Sequence, residues 1–440
     1  MRIKIEDKEN FLEIFNQIYP NNKIEKINGV SIDSRLIENN DIFIPFKGVL
    51  FDGNQFIDSV LEKKGTICLS ENNRFINNNR VVSTSSNKQA LSNLSQTWLQ
   101  KMGSKIIAIT GSNGKTTTKE LLYHIIKDKY RCGKSKDNHN STIGLPLSIL
   151  NCKINDKYTV LELGANQPGE IKDLCEIVKP DLSLITNISN AHIENFKSLQ
   201  DIAKTKSAIF SCLDKNGIAF VNLNDKIISN LPIKSNKVTF GFNEPKAQYN
   251  GIIINKNKLK INNFEFIVPD NISHLKEAIL AVYAISKNLN VKDDEFINAL
   301  KTFSVPGGRG KIKNINGLNI IDDAYNANPA SMKFGIERLS SMKSNNRKIL
   351  IIGDMLELGE SSIDEHIKIG SLINSLDIDI VLTFGDTTQF TFKELNNNFI
   401  YKKHFTDIKH LKKCFNETVK QDDLIYIKGS RSMELERVYN

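Results

Sequence analysis

The sequence predicts an α/β protein of three domains. A small N-terminal α/β domain covers residues 1–98, a central P-loop-type domain with a mostly parallel sheet covers 99–308, and a C-terminal Rossmann-like α/β domain covers 309–440. Three observations predict it. A short apolar, β-branched run, Lys105-Ile-Ile-Ala-Ile109, enters a glycine loop and then a helix-forming stretch. Runs of the same kind recur with room for a helix between them, the pattern of parallel strands. A breaker cluster, Val305-Pro-Gly-Gly-Arg-Gly310, divides two such series.

A chain of 440 residues is long enough for about two to four domains with cores of their own. Hydrophobic content of 40% and charged content of 25% are those of a soluble globular protein. The net charge of +9 is modest for this length and suits phosphorylated ligands. No basic stripe interleaves with aromatics, which argues against nucleic acid. Cys68, Cys132, Cys152, Cys175, Cys212 and Cys414 form no Cys-x-x-Cys pair and read as free thiols in a reducing compartment. Met1-Arg-Ile-Lys-Ile-Glu6 lacks the apolar core of a signal peptide, and no apolar run approaches membrane-spanning length. The expectation is a cytoplasmic enzyme with no membrane span.

In the first domain, Val30-Ser-Ile-Asp-Ser-Arg35, Asp41-Ile-Phe-Ile-Pro-Phe-Lys-Gly48 and Phe51-Asp-Gly53 read as short strands joined by turns. Ser31, Asp33, Ser34, Arg35 and Lys47 fit a solvated edge as well as a binding group. Glu71 to Asn79 is polar and asparagine-rich and reads as an exposed loop. Asn87 to Met102 reads as a helix, with Leu91, Leu94, Trp98 and Leu99 at helical spacing.

The central domain opens on Thr110-Gly-Ser-Asn-Gly-Lys-Thr116, a shortened phosphate loop. Gly111 and Gly114 let the backbone turn so that its N–H groups face an anion. Lys115 supplies a charge for terminal phosphates, and the Thr116 hydroxyl can join a Mg²⁺ shell. The helix from Thr116 to Lys129 aims its positive end at the same spot. Further strands are expected at Thr159–Leu163, Leu182–Asn187, Ile218–Asn222 and Lys237–Phe240. Ligands of such sheets lie at the carboxyl ends of the strands. That gathers the loop, Glu162-Leu-Gly-Ala-Asn166 and Thr186-Asn-Ile-Ser-Asn-Ala-His-Ile-Glu194 in one crevice. Glu162 sits in an apolar run, where a carboxylate is costly unless paired or holding a cation. Thr116 and Glu162 therefore make an oxygen pair for Mg²⁺. Taken alone, His192 fits a satisfied loop histidine, Lys204 and Lys206 a solvated helix face, and Arg309 a linker arginine or a phosphate clamp. His274 to Asn288 reads as a helix.

The last domain has strand candidates at Leu318–Asp322, Lys348–Ile352, Ile380–Phe384 and Asp423–Ile427. The turns Asp322-Asp-Ala-Tyr-Asn-Ala-Asn-Pro329, Gly353-Asp-Met-Leu-Glu-Leu-Gly359 and Lys428-Gly-Ser-Arg431 fall at strand ends, on one face of the sheet. No Gly-x-Gly-x-x-Gly follows any of these strands, so dinucleotide binding is unsupported.

Together these motifs resemble the Mur ligases, and among them the branch that adds D-alanyl-D-alanine. The resemblance covers nearly the whole chain. It implies a UDP-binding first domain, with Ser31, Asp33, Ser34, Arg35, Lys47 and Asn140 toward the UDP-N-acetylmuramoyl-tripeptide substrate. It implies an ATPase central domain, with Thr110, Gly111, Ser112, Asn113, Gly114, Lys115, Thr116, Thr117 and Asn138 at the nucleotide. Asp323, Tyr325 and Asn326 match residues of the last domain that close on that nucleotide. Two Mg²⁺ ions are implied, held by Thr116, Glu162, His192 and a carbamylated Lys206, since a carbamate turns a cation into an oxygen ligand. Lys115, Lys206, His192 and Arg309 match the catalytic set. The implied reaction is ATP-dependent amide formation with D-Ala-D-Ala through an acyl phosphate. Where the family has His-Asn and a further asparagine one turn on, the chain has His274, Leu275 and Ala278, so adenine recognition departs from the pattern. A nucleotide-driven switch is the rival from another class, and it would need neither Lys206 nor His192. Nothing signals an obligate interface, so a monomer is expected.

Overall fold

The computed structural model describes residues 1–48, 51–75, 77–136, 139–190, 193–344 and 346–440. Three mixed, mostly parallel β-sheets of five, nine and six strands organise these residues. The first runs in chain order through Arg2–Lys4, Gly29–Ser31, Asp41–Phe43, Ile67–Ser70 and Val81–Ser83, antiparallel only at its first pair. Within the stretch expected as an exposed loop, a short turn at Asn73–Phe75 buries the Phe75 ring, so an apolar anchor interrupts the polar run.

Helix Asn87–Met102 starts at Ser86, whose side chain accepts from the Gln89 N–H, and stops at Gly103 in the left-handed region. The four apolar residues expected on its inner face are buried. The Trp98 indole donates to the Cys152 carbonyl at 3.0 Å and its ring lies 6.1 Å from that of Phe11. One continuous core runs from Phe11 and Ile42 through this helix to Leu161 and Ile171. The helix thus crosses the boundary expected at 98/99 and joins its two sides.

The nine-stranded sheet is built around Lys105–Thr110, flanked in parallel by Tyr158–Glu162 and Leu182–Ile185. Cys132–Lys134 forms one edge. The other side continues in parallel through Ile218–Asn222, Asn236–Phe242 and Tyr249–Asn255, then antiparallel through Lys258–Ile261 and Phe264–Ile267. The period of two explains why the central strand is apolar throughout. Ile106 and Ala108 face the core shared with the first domain, while Ile107 and Ile109 face helices Lys115–Ile126 and Lys276–Asn288.

The third sheet has the spatial order Lys311–Ile315, Leu318–Asp322, Leu424–Lys428, Lys348–Gly353, Ile380–Phe384, Tyr401–Phe405, antiparallel only at its first pair. The strand that comes last in the sequence sits inside the sheet. Its carboxyl end brings the turns after three strands together: the Asp323 N–H donates to the Ile427 carbonyl at 2.9 Å, and the Ser430 N–H to the Asp354 carbonyl at 3.0 Å. Among the described residues no helix is long and apolar enough to cross a membrane.

Candidate active site

The phosphate loop leaves its strand at Gly111, with φ of +148°. A Cβ there would stand 1.9 Å from Thr186 Oγ1, so only glycine fits. Gly114, at φ +78°, opens helix Lys115–Ile126 with no side-chain cap, leaving the first-turn N–H groups to serve an anion. The loop is braced by the turn after strand Leu182–Ile185. Asn187 accepts the Ser112 N–H on its carbonyl (2.9 Å) and the Asn113 N–H on Oδ1 (3.0 Å). Ser112 Oγ donates to the Ser189 carbonyl (2.8 Å) and Thr186 Oγ1 to the Asn113 carbonyl (2.6 Å). Thr110 and Thr117 are buried, and the Thr110 hydroxyl ties its strand to the Leu163 carbonyl at 2.8 Å. Asn187 and Ser189 were not singled out by sequence. Their only signal was a hydroxyl- and amide-rich run at the carboxyl end of a strand.

Lys115 folds back so that Nζ donates to the carbonyls of Gly111 (2.8 Å) and Ser112 (3.2 Å). Burial lowers its pKa and the nearby Arg309 acts in the same direction, while Glu162 opposes them. Glu162 is 2% exposed and both its oxygens are engaged. Oε2 accepts from Thr116 Oγ1 at 2.5 Å and Oε1 from Asn140 Nδ2 at 2.8 Å. Both donors are neutral, so the cation that faces this buried carboxylate is Lys115, with room in the chemistry for a metal ion beside it. From helix Leu199–Ser211, Lys206 enters the same space at 3% exposure, while Lys204 points to solvent. Lys206 Nζ donates to the Gly111 carbonyl at 3.1 Å. Burial, with Lys115 beside it, holds its pKa well below the ordinary lysine range. Asn138 and His192 lie outside the described residues.

The third sheet approaches from across the crevice. The Arg309 guanidinium carbon lies 3.8 Å from the Tyr325 ring centroid, and the Tyr325 N–H donates to the Gly308 carbonyl at 2.9 Å. The breaker cluster is therefore folded onto the turn after Leu318–Asp322. Asp323 Oδ2 accepts from the Tyr426 hydroxyl (2.5 Å) and Lys428 Nζ (2.7 Å), and Lys428 also donates to the Asn326 carbonyl (2.9 Å). Asn328, which caps helix Pro329–Ser341, donates to Asn113 Oδ1 at 2.7 Å. His274 packs near Gly310 and Arg338 with both ring nitrogens buried and unpartnered among the described residues. Burial, with Arg338 adding to it, pushes its pKa down to about 3.

The five residues assigned to the first domain make no hydrogen bond or ion pair to this cluster among the described residues. Ser31 is buried, its hydroxyl donating to the Asp33 carbonyl at 2.9 Å. Asp33 grips the exposed Arg35 through Nε (2.9 Å) and Nη2 (2.7 Å), and that guanidinium holds its carboxyl below the usual range. Ser34 begins the short turn Ser34–Leu36, and Lys47 is exposed in an isolated bridge with Asp52.

Three family models match in order along the chain. They are the Mur ligase family catalytic domain at residues 26–101, the Mur ligase middle domain at 109–288 and the Mur ligase glutamate ligase domain at 308–431. The UDP-N-acetylmuramoyl-tripeptide--D-alanyl-D-alanine ligase of Bacillus subtilis is 33% identical over 94% of this chain and 92% of its own length. MurF from Thermotoga maritima, solved in complex with ADP, superposes with a TM-score of 0.82 at 29% identity, covering 93% of this chain and 95% of that one. MurF from Acinetobacter baumannii shares the fold with a TM-score of 0.85 at 24% identity, covering 97% of each chain. One-third identity sustained across nearly the whole length, with every domain model in its place, makes this chain a member of the Mur ligase family.

Proposed function

We propose that the chain is an ATP-dependent amide ligase that joins D-Ala-D-Ala to UDP-N-acetylmuramoyl-tripeptide, releasing ADP and phosphate. The observation that carries this reading is the meeting of Lys115, Thr116, Glu162 and Lys206 around one glycine loop, with Arg309 closing from the third sheet. The likeness to the Bacillus subtilis ligase along the whole chain supports the choice of substrates.

In the proposed reaction a carboxylate oxygen of the tripeptide attacks the γ-phosphorus of ATP and ADP leaves. The acyl phosphate is then attacked at carbon by the amine of D-Ala-D-Ala, and phosphate departs as the amide forms. In this reading Lys115 and Arg309 offset the charge that develops on the phosphoryl oxygens. The open N-terminus of helix Lys115–Ile126 orients the phosphates. Asn113 meets the third sheet through Asn328, and in this reading Asp323, Tyr325 and Asn326 close on the nucleotide, which would align the reactants and exclude water.

The donor set fits Mg²⁺. Thr116 and Glu162 give hard oxygen ligands, His192, outside the described residues, would add an imidazole nitrogen, and two ions are proposed. When bound, Mg²⁺ offsets negative charge on the phosphates. Lys206 joins the set as a carbamate. Its buried, readily deprotonated amine has the state needed to add CO₂ and lose a proton. Free thiols and the use of ATP fit a cytoplasmic enzyme, and one chain supplies all three domains, so a monomer suffices.

The test is phosphate release from Mg-ATP with UDP-N-acetylmuramoyl-tripeptide, with and without D-Ala-D-Ala, on wild type and Lys206→Ala. Release that needs both substrates, falls in the variant and returns with added short-chain carboxylic acids supports the ligase and the carbamate together. Release that ignores the dipeptide overturns the reading.

A further inference from the structure

The dipeptide of the proposed reaction arrives as a zwitterion. When its amine reaches the acyl carbon, its carboxylate lies about 7 Å away in an extended conformation. That end needs a cation the phosphoryl chemistry does not already occupy. At the carboxyl edge of the third sheet, the turns at 323–328, 354–361, 385–387 and 429–433 contain a single cationic residue, Arg431. Lys428, at the end of its strand, is 3% exposed and bound to Asp323 and the Asn326 carbonyl. Arg309 is stacked on Tyr325 and lies near enough to Lys115 to depress its pKa.

Arg431 is held but not consumed. Its side chain is 58% exposed, and Nη1 donates to Glu436 Oε1 at 2.5 Å, which fixes the guanidinium from one side. Its Nε–Nη2 edge has no partner among the described residues. In three other arginines of this chain that edge grips a carboxylate: Arg2 on Asp41 (2.7 and 3.0 Å), Arg35 on Asp33 (2.9 and 2.7 Å) and Arg347 on Asp423 (3.1 and 2.5 Å). The backbone beneath Arg431 is anchored, because Ser430 Oγ accepts the Leu356 N–H at 2.9 Å and the Ser430 N–H meets the Asp354 carbonyl. Strand Leu424–Lys428 lies beside Leu318–Asp322, so this turn adjoins the one that carries Tyr325 and, through it, Arg309.

We propose that Arg431 binds the C-terminal carboxylate of the incoming dipeptide through its free Nε–Nη2 edge, and so selects acceptors that carry a free carboxylate. This rests on the ligase reading above.

The experiment compares D-Ala-D-Ala with D-alanyl-D-alaninamide as acceptors for the full-length enzyme with Mg-ATP and UDP-N-acetylmuramoyl-tripeptide. Wild type is expected to prefer the free acid in kcat/KM by roughly 10- to 100-fold. Arg431→Gln raises KM for D-Ala-D-Ala by a similar factor, leaves the amide unchanged and so abolishes the preference, with KM for ATP unaltered. Arg431→Lys restores part of it, since charge returns without the fork. A wild type that ligates both acceptors equally, or an Arg431→Gln enzyme that keeps the preference, overturns the proposal while the ligase reading stands. If neither acceptor is ligated, the ligase reading itself fails, and the role of Arg431 falls with it.

Discussion

Asn328 of the third sheet's first helix donates to Asn113 of the phosphate loop at 2.7 Å, across 215 residues of chain. The same side chain accepts the Ser331 N–H at 2.9 Å and so caps its own helix. The two bonds use different atoms and can be separated. Asn328→Asp keeps the acceptor and loses the donor. It is expected to raise KM for ATP about fivefold with little change in Tm. Asn328→Ala loses the cap as well and costs about 1 kcal/mol in urea unfolding. Equal KM values for Asn328→Asp and wild type would show that the tie does not bear on nucleotide binding.

Glu162→Gln preserves volume, keeps Asn140 as donor to its oxygen and leaves the Thr116 hydroxyl to turn and accept from its NH₂, but removes the charge. Phosphate release is expected to fall about 100-fold or more, because the proposed Mg²⁺ would lose an anionic ligand. Stability without Mg²⁺ should change little, since relief of the buried carboxylate is offset by Lys115, which loses its counter-charge in the variant. Calorimetry without Mg²⁺ separates the two effects.

The depressed His274 gives a pH signature. Its folded-state pKa, about 3, lies below the ordinary 6.5. Between those values the unfolded chain takes up a proton that the folded one refuses, so stability falls as pH drops through this window. The contribution is about 2 kcal/mol lost between pH 7 and pH 5. His274→Gln should flatten that part of the stability curve, measured by urea unfolding at a series of pH values. Parallel curves for the variant and wild type would show that His274 is solvated.

A Cβ at Gly335 would stand 1.6 Å from the Tyr426 hydroxyl, the group that donates to Asp323. Gly335→Ala is therefore expected to cost about 3 kcal/mol in urea unfolding. It should also lower activity by shifting the turn that bears Tyr325. Wild-type stability in Gly335→Ala would mean that helix Pro329–Ser341 can move aside freely.

Local signals carried much of the fold. Strand Lys105–Thr110 and its loop are legible because an apolar run, two turn glycines and a helix follow within a few residues. Helix Asn87–Met102 is legible from four apolar residues at one spacing. The strands Cys132–Lys134, Lys311–Ile315 and Tyr401–Phe405 were not anticipated. They lie at sheet edges, where one side of the ladder is open and lysines are tolerated, so they lack the apolar runs of inner strands. In the site, Glu162 announced itself as a charge in an apolar run. The Asn328–Asn113 bond and the stacking of Arg309 on Tyr325 are contacts between distant or separately turned segments, which no periodicity encodes. The inward turn of Ser31 follows from its place on an inner strand, a fact visible only once the pairing partners are known.

Strand Leu424–Lys428 is the last of the strands in chain order yet lies between Leu318–Asp322 and Lys348–Gly353. A ribosome therefore releases both neighbours long before the strand that joins them. Until it emerges, two apolar strands hold open edges toward each other, and either can capture a strand from another nascent chain. The final segment acts as a keystone, and a chain stalled before residue 424 would leave a half-built sheet for chaperones to shelter.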